Sequence, residues 1–281
     1  VVLGIWGLVS LSKSISVEEL SQYTPALVKR IVERERLQRE LVIARQVQLS
    51  FLPRANPHIP GLDVASICIP AMEVGGDYYD FISLNGRKLG IAIGDVSGKG
   101  ISAAFYMTLT KGFLRSLTRA NLSPREVLIE INSLFYENVD RGHFISMIYG
   151  VFDLETMTFT FARAGHNPVI SHRMASSQPE KLCPKGLALG LEQGNIFAKV
   201  IEELTVPLTK EDVFVFYTDG FSEAMNSAKS EFGEERLQQL INKLSNKSSE
   251  ELLVDIEKEV KSFVGNNSPH DDMTMVVIRM V

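Results

Sequence analysis

LGIAIGDVSGKG (89–100) runs from an unbroken apolar hexamer straight into an aspartate and a glycine-rich turn. The hexamer reads as a buried strand, bounded by the turn signal that follows it. Aspartate is disfavoured in strands and costly to bury unless it is paired or bound to a cation. Asp95 therefore marks a strand end where a negative charge has to be neutralised. Similar junctions occur elsewhere in the chain: DVFVFYTDG (212–220) ends an apolar strand at Asp219, HDDMTMVVIRM (270–280) starts one after Asp271 and Asp272, and GGDYYDF (75–81) places Asp77 and Asp80 behind two glycines. A single aspartate at a strand end is ordinarily a turn former or a helix cap. Four such sites from distant parts of the chain converge if their strands lie centrally in one sandwich. Converging carboxylates need a cation, and oxygen-only ligation suits Mg²⁺ or Mn²⁺ better than zinc. Two such ions at one site are an established means of hydrolysing phosphate esters.

Around these junctions the pattern is strand-rich. LDVASICIP (62–70), 86–95, 144–153, 157–165, 168–173, 197–206, 212–219 and 273–281 read as strands. ISAAFYMTLTKGFLRSL (101–117) reads as a helix, as do the segment opened by the capping box Ser123-Pro124-Arg125-Glu126, 234–244 and 248–264. Turns as short as Leu154–Thr156 suit antiparallel hairpins better than repeated βαβ units. The expected class is α+β, a layered sandwich.

Upstream, Ser16 with Glu19 forms a capping-box signature, and Pro25 is expected to open a second, longer helix. Residues 26–52 hold no glycine or proline, and the helix is expected to stop at Pro53. Positions 30, 34, 37, 41, 44, 48 and 51 read Arg, Arg, Leu, Leu, Ala, Gln and Phe, an imperfect heptad. Two readings stand side by side: a solvated connector, or a parallel dimerising linker that carries a signal. The apolar run VVLGIWGLV (1–9) is a poor signal peptide and reads as the last strand of an upstream domain in a longer protein, or as the end of a membrane helix.

The chain has 281 residues, 45% of them hydrophobic, enough for a sizeable core without disulfides or structural metal. The net charge of -5 argues against a nucleic-acid binder. No run of 18 apolar residues suggests a membrane span. Two cysteines, Cys68 and Cys183, make neither a disulfide framework nor a zinc cage and point to a reducing, cytoplasmic setting. Lys99 in SGKG lacks the spacing of a nucleotide-binding P-loop. His166 in AGHNP reads as a turn-locking histidine and His270 as a loop residue, in preference to catalytic bases.

GGDYYDF, GDVSGKGISAA, FARAGHNP, YTDGFSEAMN, FGEERL and DDMTMVVIR stand in the order and spacing of the bacterial PPM-type serine/threonine phosphatases, and the chain resembles their SpoIIE/RsbU-like branch. ELVIARQVQLSFLP (40–53) resembles the linker that enters that domain, so the likeness covers about residues 40 to 281. The resemblance implies an α-β-β-α sandwich of two antiparallel sheets flanked by helices, with a metal centre at one end. It implies Asp95, the Val96 carbonyl, Asp219, Asp271 and Asp77 as ligands of two Mg²⁺ or Mn²⁺ ions, Asp271 being preferred over Asp272. The substrate it implies is a phosphoprotein, a STAS-type anti-sigma-factor antagonist. A weaker likeness of the first 35 or so residues to the end of a GAF-type sensor gives the expected organisation: 1–24 the tail of an upstream domain, 25–52 a linker helix able to form a homodimer, 53–281 the phosphatase domain. The competing function is a catalytically silent module that keeps the fold and only binds partners, and the intact set of acids speaks against it.

Overall fold

The computed structural model describes residues 17–281 apart from 85, 121, 175, 177 and 268, with side chains from residue 28 onward. Residues 47–281 form one compact unit and residues 1–46 another. The expected strand at 1–9 and Ser16 lie outside the described residues. Helix α1 (Val17–Phe51) is continuous. Pro25 does not separate two helices as expected. A proline costs a helix about 3 kcal/mol but does not forbid it, and the strongly helix-forming segment that follows carries the helix through.

The rest of the order is β1 (Leu62–Ile69), β2 (Tyr78–Ser83), β3 (Lys88–Val96), α2 (Ile101–Leu117), α3 (Pro124–Asn138), β4 (Ile145–Asp153), β5 (Thr158–Ala164), β6 (Val169–His172), β7 (Glu180–Leu182), α4 (Asn195–Val200), β8 (Glu203–Pro207), β9 (Val213–Tyr217), α5 (Asp219–Ser222), α6 (Glu234–Leu244), α7 (Ser249–Val264) and β10 (Met273–Met280). Two five-stranded sheets result, in the orders β1-β10-β9-β6-β7 and β2-β3-β4-β5-β8. Every strand pair is antiparallel. Helices α2 and α3 cover the second sheet, and α6 and α7 cover the first. This is the α-β-β-α sandwich.

The strands of the first sheet read as continuous apolar runs because both of their faces are buried. Phe214 and Phe216 of β9, with Val276, Ile278 and Met280 of β10, face the opposite sheet. Their neighbours Val213, Val215, Tyr217, Met275 and Val277 face the covering helices. Between the sheets Phe152 stacks on Phe159 with ring centroids 4.2 Å apart and meets Phe214 edge-on at 5.4 Å. Each such ring adds roughly 1.5–3 kcal/mol on burial. The capping box at Ser123 forms as expected, its hydroxyl accepting from the Glu126 N–H while the Glu126 carboxylate accepts from the Ser123 N–H.

One expected strand divides. FAKVIEELTV (197–206) begins as α4 and only from Glu203 becomes β8. Phe197 and Ile201, four residues apart, are both buried, which is helical spacing, and a short apolar run does not distinguish the two periods. Strand β7 was not expected, since its three residues Glu-Lys-Leu carry no strand pattern.

The register carries the strand ends to common places. Tyr78 pairs with Gly94, so the start of β2 lies beside the end of β3. Met275 pairs with Tyr217, so the start of β10 lies beside the end of β9.

Candidate active site

The acids at these strand ends fall into three groups. Asp80 does not join the others. It is buried and neutralised by Arg115, whose Nε donates to Oδ2 at 2.7 Å and whose second nitrogen bonds Oδ1, with Lys111 Nζ at 3.5 Å and the Tyr78 hydroxyl donating at 2.8 Å. A buried carboxylate satisfied this fully is structural.

Asp272 acts as an anchor for the loop before β2. Its Oδ1 accepts the Ala71 N–H at 2.8 Å, and its Oδ2 accepts the N–H groups of Gly76 at 2.7 Å and Asp77 at 3.4 Å. Gly75 and Gly220 permit this close approach: a Cβ on Gly75 would lie 2.1 Å from Asp272 Oδ2, and one on Gly220 would lie 1.9 Å from the Asp272 carbonyl oxygen. From the other side, the side-chain amide of Gln48, in the last turn of α1, donates to the Gly75 carbonyl at 2.5 Å and accepts the Gly75 N–H at 3.0 Å. The GGD turn is thus clamped from two directions.

The third group is Asp77, Asp95, Asp219 and Asp271. Asp77 is buried, and its Oδ2 accepts from the Thr218 hydroxyl at 2.8 Å. Thr218 in turn accepts the Thr274 N–H at 3.0 Å, so this contact ties the GGD turn to the β9 and β10 ends. Burial, with Asp95 adding repulsion, holds the Asp77 carboxyl well above the usual range. Burial and then the charges of Asp219, Asp271 and Asp272 push Asp95 up to about 7. Burial and the neighbouring Asp271 likewise raise Asp219. These carboxylates are close enough to resist one another's ionisation. Among the described residues, no three His, Cys, Asp or Glu side chains close to the spacing of a finished cation cage. The cation that touches Asp271 here is the Lys99 ammonium, 2.9 Å from Oδ2 and 2.5 Å from the His270 carbonyl oxygen. The Val96 backbone lies against the same turn, its carbonyl oxygen 2.9 Å from where a Gly76 Cβ would stand.

The donor chemistry fits a hard divalent ion: several oxygens, mutual repulsion, and one tethered ammonium as partial compensation. The sequence singled out the acids but not the groups that hold them. Gln48 looked like a heptad position and Thr218 like a strand end; only their partners, 27 and 141 residues away, give them roles. Lys99, set aside as a failed phosphate loop, proves to face the acidic cleft.

The model of the Stage II sporulation protein E (SpoIIE) family matches residues 85–281. The chain belongs to the SpoIIE family. It is therefore a PP2C-type serine/threonine phosphatase domain. It is 31% identical over 245 residues to the phosphoserine phosphatase RsbU of Bacillus subtilis, a match that takes in 87% of this chain and 71% of RsbU. Among solved structures it resembles the SiaA-PP2C domain of Pseudomonas aeruginosa, with a TM-score of 0.78, 18% identity, and coverage of 89% of this chain and 99% of that one. It also resembles RsbX in complex with magnesium, with a TM-score of 0.59, 16% identity, and coverage of 80% and 98%. The last two likenesses concern the fold.

His166 of this SpoIIE-family domain lies near the site without joining the acids. It is buried, its Nδ1 is 2.7 Å from the Ser146 hydroxyl, and its carbonyl accepts from Arg163 at 2.5 Å. Burial, helped by the Arg163 charge, lowers its pKa from 6.5 to about 3. The folded state then binds fewer protons than the unfolded one between these values. Its contribution to stability is complete above about pH 6.5 and is lost as the pH falls towards 3. Between about pH 7.5 and about pH 5 this loss is roughly 2 kcal/mol. Urea unfolding of the wild type and of His166→Asn at both pH values should show the variant losing less stability by about that amount. Equal losses would contradict a neutral, buried imidazole.

Proposed function

We propose that this domain removes phosphate from phosphoserine or phosphothreonine in a protein by Mg²⁺- or Mn²⁺-dependent hydrolysis at the Asp77–Asp95–Asp219–Asp271 cleft. The observation that carries the reading is the meeting of the two sheets' acids: Asp95 at the end of β3 lies within reach of the charges of Asp219 and Asp271 at the ends of β9 and β10. Asp95, Asp219 and Asp271 are the residues that would hold two ions, with the Val96 carbonyl and Asp77 beside them. The bound ions would supply Lewis acidity that lowers the pKa of a water and offsets phosphoryl charge. The chain's own residues set up the rest. Thr218 fixes the rotamer of Asp77. Asp272 and Gln48 hold the GGD turn against Asp95. Lys99 places a positive charge at the mouth of the cleft, where a phosphate dianion enters. The RsbX neighbour with magnesium supports the choice of ion.

The likeness to RsbU supports a partner in sigma-factor regulation, and we infer a STAS-type anti-sigma-factor antagonist as the phosphoprotein. Cytoplasmic action fits such a partner, and among the described residues no helix is long and apolar enough to cross a membrane. The organisation inferred is a phosphatase domain at 53–281 entered by a linker at 25–52, with 1–24 the end of an upstream domain. The linker is inferred to dimerise. Val28, Ile31, Val32, Leu37, Val42, Ile43 and Val47 of α1 each expose 50% or more of their surface, an apolar content that a solvated connector does not need.

Two measurements check this. With p-nitrophenyl phosphate and Mn²⁺, Asp95→Asn and Asp219→Asn should each lower turnover by at least about a hundredfold with circular dichroism unchanged. Full activity in both variants would refute the site. In sedimentation, the wild-type chain should be dimeric and Ile43→Glu should shift it toward monomer. A wild-type monomer at high concentration would refute the linker interface.

A further inference from the structure

Asp271 is a shared wall. On one side lies the narrow acidic cleft, bounded by Gly75, Gly76, Asp95, Lys99 and Asp272. On the other side is a separate cavity of about 300 Å³, lined mainly by Ile69, Ala224, Met225, Val260, Val264 and Met273. Gly220 and His270, which flank the proposed ligands, also border this cavity. The hydrolytic step has no use for its apolar walls: Asp95 and Lys99 border the cleft and not this cavity. Val260 and Met273 are buried side chains of α7 and β10, so the walls are built into the sandwich.

A phosphoryl group is the same in every phosphoserine, so a phosphatase that selects its substrate has to recognise what surrounds it. In an extended peptide successive residues are about 3.3 Å apart and point alternately to either side. With the phosphate in the cleft, a side chain one or two residues away reaches past Asp271. The volume accommodates one large aliphatic or aromatic side chain against the apolar walls, with the polar groups of Lys261, Asn267 and His270 among the remaining lining. We propose that this cavity is a specificity subsite that receives an apolar side chain flanking the phosphorylated residue of the protein substrate. The proposal rests on the phosphatase reading above, and it commits to that occupant because the cavity and the cleft share Asp271 as a wall, so a substrate with its phosphate in one lies beside the other.

The test compares kcat/KM for phosphoserine peptides that carry Leu or Ser singly at each position from two before to two after the phosphoserine. p-Nitrophenyl phosphate, which has no flank, serves as the reference substrate. The wild type should favour Leu over Ser at one flanking position by about tenfold or more, the scale of burying one aliphatic side chain. Val264→Phe, which fills the cavity, and Val264→Asp, which charges it, should each erase that preference while p-nitrophenyl phosphate turnover persists. A wild type that hydrolyses p-nitrophenyl phosphate without flank preference would overturn the subsite and leave the phosphatase reading standing. So would a preference that survives both substitutions. A wild type inactive on every substrate with Mn²⁺ would overturn the phosphatase reading, and the subsite with it.

Discussion

Electrostatic repulsion among carboxylates sets the terms for this molecule. Strand ends of both sheets deliver Asp77, Asp95, Asp219 and Asp271 to one place, where burial raises Asp77, Asp95 and Asp219 and the neighbouring acids add to each shift. An arrangement of that kind is unfavourable to folding unless something positive completes it. The Lys99 ammonium on Asp271 supplies one charge, which does not offset four acids. The deficit is the physical reason to expect divalent cations.

Holding such a cluster in register requires ties that do not themselves carry catalytic charge. Asp272 performs this for the loop before β2 through three backbone N–H groups, and Gln48 performs it from α1. Thr218 bridges Asp77 to β10. The two adjacent aspartates of DDM therefore differ in kind. Asp272 has both oxygens taken up by the backbone, whereas Asp271 has an oxygen turned to the Lys99 side chain at the cleft. The apolar sandwich beneath makes these ties rigid: Phe152, Phe159 and Phe214 lock the two sheets face to face, and with them the loops at their ends.

Much of this was legible beforehand because it is local. Both buried faces of β9 and β10 appear as uninterrupted apolar runs, the turns at Leu154–Thr156 and Ser123–Glu126 carry their own chemistry, and aspartates at the ends of such strands stand out. What the sequence could not show depended on distant partners. Asp80 looked like its neighbour Asp77 until Arg115 and Lys111 were found against it. Gln48 offered no sign of the Gly75 backbone. The segment at 197–206 has apolar residues compatible with either period, and Pro25 misled because a proline's cost is finite and the surrounding helix is strong.

The central claim is that this anionic pocket exists to hold divalent cations. The most direct measurement is anomalous diffraction from crystals soaked in Mn²⁺. The account predicts peaks among the carboxylates of Asp95, Asp219 and Asp271, with the Lys99 ammonium displaced from Asp271. Crystals that bind Mn²⁺ only elsewhere, or show no peak there while Lys99 stays paired with Asp271, would contradict it.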